Sequence, residues 1–152
     1  MPNPPNGVPI HVGVNCQGIS YNAATGQWTI PSGAPRWTVP AVTPVPSGNN
    51  LLTWTLSGVD LPSGFNLVFD STLGIVFNPG WPGSTPALQG DGTYQATDNF
   101  LPGPNNRSFY YAINVVLQQV GGTASQPFRL DPDVQNEGSN PVINYVVKGV
   151  AV

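Results

Sequence analysis

A chain of 152 residues with 18 Gly, 18 Pro and only 7% charged side chains is the size of one domain and the wrong material for a helical bundle. Both Gly and Pro break helices, and too few ionic groups remain to dress helix surfaces. The four cations, Arg36, Arg107, Arg129 and Lys148, are scattered along a chain of net charge −3, so neither nucleic acid nor an anionic membrane is an expected partner.

Residues 1–7, Met-Pro-Asn-Pro-Pro-Asn-Gly, are expected to form an extended, polyproline-like arm, lying on their own domain or on a neighbour. The remainder, residues 8–152, reads as a single domain. The N-terminal stretch lacks a basic segment followed by a long apolar run, so no signal peptide is expected. No run of about 18 apolar residues predicts a transmembrane helix, and the compartment stays open.

The first alternating run is Val8, Ile10, Val12 and Val14, interleaved with Pro9, His11 and Gly13. Leu52, Trp54 and Leu56 follow, then Phe65, Leu67 and Phe69. Apolar residues at every second position predict strands with one buried face. Ile75 to Phe77 and Val142 to Val147 are apolar on both faces, which predicts central strands packed on each side or covered by loops. The longest segment free of Gly and Pro, Asn105 to Val120, alternates at Phe109, Tyr111, Ile113, Val115 and Leu117, so it too predicts a strand. Gly121-Gly122 is expected to close a hairpin from it onto Gln126 to Leu130. Turn sequences such as Ser47-Gly48-Asn49-Asn50, Pro62-Ser63-Gly64 and Gly90-Asp91-Gly92 separate the runs. The pattern predicts an all-β chain: an antiparallel β-sandwich of immunoglobulin-like or jelly-roll kind, with eight to ten strands.

Thr53-Trp54-Thr55-Leu56, Gly64 to Phe69, Gly74 to Phe77, Tyr110 to Val115 and Leu130-Asp131-Pro132-Asp133-Val134-Gln135-Asn136 resemble small uncharacterised bacterial β-sandwich domains of immunoglobulin-like type. The resemblance covers about half of the chain. It implies the sandwich fold and brings no agreed activity.

Few residues suggest chemistry. His11 is the sole histidine, with no carboxylate near it in sequence, so a Ser-His-Asp arrangement is not expected. Cys16, the sole cysteine, reads as a small buried hydrophobe. Asp131, Asp133, Asn136 and Glu137 form the one dense oxygen cluster, which could wrap a calcium ion or form a turn bonded to nearby amides. Asp98 and Asn99, expected in a loop, could join it, and Asp131 with Asp133 or Asp98 could flank a glycosidic bond. Trp28, Trp37 and Trp54 are expected in the core or in strand packing. Trp81, held between Pro and Gly residues, is expected in a loop, plugging the end of the sandwich or, beside Tyr94 or Phe100, stacking on a sugar.

These features predict a non-enzymatic structural or assembly module, without a cofactor, that self-associates or binds a protein partner. Low charge motivates this, because a weakly self-repelling surface tolerates close neighbours. The alternative is a carbohydrate-binding module using Trp81, Tyr94, Asp98 and Asn99, with calcium at the acidic segment.

Overall fold

The computed structural model describes residues 6–40, 42–45, 48–79, 81, 83–100, 107–130, 133–136, 144–148 and 150–151. The chain is all-β, and no helix among these residues is long and apolar enough to cross a membrane. In β1 (Asn6–Asn15), Ile10, Val12 and Val14 are buried while Pro9 and His11 are exposed, as alternation requires. Asn6 and Gly7 pair within this strand, so the expected boundary between arm and domain moves back by two residues.

A small hairpin follows, β2 (Ser20–Asn22) against β3 (Gln27–Thr29). Next come β4 (Arg36–Pro40), β5 (Val42–Val45) and β6 (Gly48–Val59). The middle of the chain supplies β7 (Phe65–Phe69), β8 (Ile75–Phe77), β9 (Ala87–Leu88) and β10 (Tyr94–Phe100). The last elements are β11 (Arg107–Gln119), β12 (Ser125–Leu130), β13 (Asp133–Asn136), β14 (Asn144–Lys148) and β15 (Val150–Ala151).

One sheet runs β14-β4-β1-β6-β10-β9. The other is built on β11, which pairs β12 and β13 and also β7 and β8, with β15 and β5 beyond. The expected hairpin is present: β11 and β12 are antiparallel from Ile113 opposite Leu130 to Gln118 opposite Ser125, with Gly121 at φ 74° in the turn. β13 continues β12 without a slip, since Tyr110 faces Asp133 three positions beyond the Ile113 pair.

Fifteen strand segments among the described residues exceed the eight to ten expected. Segments of two or three residues, such as β2, β8 and β9, are too short for a period to show. The pairing is mostly but not wholly antiparallel: β1 runs parallel to β6 over its full length, and β13 parallel to β5. Ile75 to Phe77 is not doubly covered either, because Val76 is 38% exposed. Nor is β14 central; it ends its sheet.

Both sheets contribute to one apolar core. Val12, Leu52 and Trp54 from one sheet and Tyr111, Ile113, Leu117 and Phe128 from the other are fully buried in it. Trp54 Nε1 donates across to the Tyr111 hydroxyl at 3.2 Å, satisfying a buried indole. Truncating such an aromatic to Ala removes about 3–5 kcal/mol. Trp28, in β3, is half-buried and packs against Tyr21 and Phe65 at the edge of the core.

Candidate functional site

The surface with the most unusual chemistry forms around β8, and it begins with a bulge. Phe69 stands opposite Val115, yet Ile75 stands opposite Ile113. Six steps along one strand are therefore matched by two along the other, and residues 70–74 project from the sheet. Asn114 closes the base: it accepts from the Asp70 N–H at 3.0 Å and donates to the Gly74 carbonyl at 2.9 Å. Its side-chain amide donates to the Leu73 carbonyl at 2.7 Å. Asp70 Oδ1 accepts from the amides of Thr72 and Leu73 and from the Thr72 hydroxyl. The two backbone hydrogen bonds, from Leu73 and then Thr72, hold the Asp70 carboxyl below the ordinary aspartate range. This framework leaves Leu73 on the crest, 56% exposed.

From the bulge the chain enters β8, which pairs β11 and no other strand among the described residues. Gly74 and Asn78 bond to β11, so by strict alternation the N–H and C=O groups of Ile75 and Phe77 turn to the open edge. That edge borders a groove of about 390 Å³, lined by Leu73, Val76, Phe77, Pro79, Trp81 and Pro86 among others.

Trp81 sets the character of the groove. Its ring stacks on Phe77 with centroids 3.9 Å apart and planes 6° from parallel, and Phe77 in turn packs on Trp54 and Tyr111. The indole N–H donates to the Ser84 carbonyl at 2.9 Å. Gly83 lies so close to the ring that a side chain there would overlap it. An aromatic line thus runs from the core to the surface and ends at a half-buried tryptophan fixed in place.

The other residues proposed for a sugar site do not gather around it at the surface. Tyr94 is in β10, 1% exposed, with its hydroxyl bonded to the backbone of Asp70 and Gly74. Asp98 is also in β10 rather than in a loop; it is fully buried opposite Asn50, itself buried, and both make further interactions. An acid in the middle of a run hides a strand from a hydropathy pattern. Asn99 continues β10 opposite Asn49. Tyr94 and Asp98 are therefore buried side chains of β10.

Asp131 and Glu137 lie outside the described residues. Asp133 and Asn136 bound an extended strand, β13, paired on both sides. Among the described residues no group of three His, Cys, Asp or Glu is placed to hold a metal.

His11 lies on the outer face of the first sheet, with Nδ1 3.2 Å from Thr55 Oγ1 and Nε2 2.9 Å from Ser57 Oγ. Its partners are two hydroxyls, on an exposed sheet surface. Cys16 is fully buried, as expected; burial, with the nearby Asp60 charge adding to it, pushes its thiol up to about 11.

No family model matches the chain, and no match to it is found among curated proteins.

Proposed function

We propose that the chain is a non-catalytic β-sandwich module, of immunoglobulin-like or jelly-roll kind, that binds an extended segment of a protein partner, a second copy included, at the β8 groove. Two sheets sharing one core, joined by the Trp54–Tyr111 hydrogen bond, support the sandwich. One observation carries the binding reading: exposed Leu73 and Val76 border a groove floored by Phe77 and Trp81, at a strand edge with outward-facing amides. Strand addition supplies both halves of such an interaction, main-chain bonds for affinity and a groove for side chains. A surface with 7% charged residues offers little repulsion to a partner. The glycan alternative has less support, because Trp81 already stacks on Phe77 and Tyr94 and Asp98 are buried.

Sedimentation velocity over a wide concentration range, paired with a random-peptide display screen, tests the proposal. The expected result is concentration-dependent association, or selection of extended apolar peptides, in either case lost in Leu73→Glu and Val76→Lys while thermal unfolding stays unchanged. Self-association or peptide binding that survives both variants overturns the groove assignment. A strict monomer that selects no peptide overturns the binding reading altogether.

A further inference from the structure

The four cations look dispersed in sequence, but the fold brings two of them together. Arg36 in β4 and Lys148 in β14 are direct cross-strand partners. Among the described residues Arg36 makes no ion pair and no hydrogen bond, and its side chain is exposed.

Arg36 also lines a cleft of about 240 Å³ with Asn15, Gln17, Ser32 and Gly33. Two turns form the walls. The first is closed by the Ile19 amide donating to the Cys16 carbonyl, the second by the Ala34 amide donating to the Pro31 carbonyl. They approach closely because Gly18, at φ 86°, has no side chain: a Cβ there would come within 2.9 Å of Pro31 Cγ.

The chemistry of the lining is one-sided. Asn15 Oδ1 accepts from the Gln17 amide at 2.9 Å, which commits the oxygen end of that carboxamide and leaves its NH₂ as the outward group. Ser32 adds a hydroxyl, Arg36 adds five donors in a planar fork, and none of the described residues lining the cleft is acidic. Asp60 is the nearest described acid along the sheet, one residue past the Val59 that faces Asn15 across β1 and β6. It is separated from Arg36 by the width of β1, about two strand spacings of ~4.8 Å.

We infer that this cleft binds an oxyanion, a carboxylate or a phosphate, through the Arg36 guanidinium and the Asn15 amide. The site is independent of the β8 groove, which belongs to the other sheet. It gives a chain of net charge −3 one corner that attracts negative groups.

The test is a titration of the full chain followed by amide chemical shifts, with inorganic phosphate in one arm and sodium acetate in the other, both at ionic strength held constant with sodium chloride. Saturable shifts at Asn15, Gln17, Ser32 and Gly33 are expected, with affinity at least tenfold weaker in Arg36→Gln and unchanged in Arg129→Gln. Saturation by phosphate alone identifies a phosphate site, and saturation by acetate identifies a carboxylate site. Shifts no greater than those from chloride alone, or binding undiminished in Arg36→Gln, overturn the inference. Arg36 is exposed and makes no described contact that folding needs, so that variant reports on binding.

Discussion

Tyr94 and Gly74 meet across the two sheets: the Gly74 N–H donates to the Tyr94 hydroxyl at 3.1 Å, and that hydroxyl donates to the Asp70 carbonyl at 2.8 Å. One phenol thereby ties down both ends of the bulge that carries Leu73. The fit depends on Gly74 lacking a side chain, since a Cβ there would overlap the Tyr94 ring and lie 2.8 Å from the Asp70 carbonyl oxygen. Gly74→Ala is therefore expected to cost about 1–3 kcal/mol by overpacking. Tyr94→Phe leaves two inward backbone groups without partners and is expected to cost about 1–3 kcal/mol. Urea unfolding measures both. If Gly74→Ala is neutral, the close approach of the two residues is wrong.

The same bulge gives a pH prediction. The Asp70 carboxyl is held low by the amides of Leu73 and Thr72, so its folded pKa lies below its unfolded one. The stabilisation is present above the unfolded value and is lost as pH falls through the folded value. Asp70→Asn keeps an acceptor for both amides but cannot titrate. The stability gap between wild type and Asp70→Asn should therefore narrow as the pH is lowered below the usual aspartate range. A gap that stays constant with pH would show that the ionised form is not the one being held.

How far the sequence could be read depended on length and polarity. The β11-β12 hairpin was legible because β11 carries apolar residues at every second position from Phe109 to Leu117 and a Gly pair marks the turn. β10 escaped because Asp98 and Asn99 look like loop residues, and only the fold shows that Asp98 is buried opposite Asn50. The β2-β3 hairpin left only a weak local signal: Asn22 Oδ1 capping the amides of Ala24 and Thr25, with Gly26 at φ 72°. Trp81 was recognised as a loop residue, but its stacking on Phe77 depends on a β8 register that no local pattern encodes. The pairing of Arg36 with Lys148 is likewise a product of topology: the two residues stand near opposite ends of the chain, and adjacent strands place them side by side.

The Trp81 arrangement separates into two measurable parts. Trp81→Ala removes the stack on Phe77 and half-buried ring surface, with an expected loss of about 1–3 kcal/mol. Trp81→Phe keeps an aromatic face but loses the bond to the Ser84 carbonyl, with an expected loss of about 0.5–1.5 kcal/mol. Chemical denaturation should rank the two in that order. Equal losses would mean that the hydrogen bond, and not the stack, fixes the ring.

Cys16 supplies the last prediction. Its thiol is fully buried and pushed up to about 11, by burial first and the Asp60 charge second. A raised folded pKa means that the neutral thiol is favoured by the fold; that stability is complete below the unfolded pKa and is lost as pH rises through about 11. The thiolate is the reactive species, so both its scarcity and its burial protect the native chain. Iodoacetamide at pH 8 is expected to leave Cys16 unmodified in the native protein and to alkylate it fully in urea, as read by intact mass. Native-state alkylation at a rate near that of a free thiol would contradict the burial. Cys16→Ala should abolish the labelling in urea while shifting the unfolding midpoint only modestly, because a small side chain replaces a small one. Cys16→Ser should shift it further, since the hydroxyl enters the same apolar surroundings at a cost of about 1–3 kcal/mol.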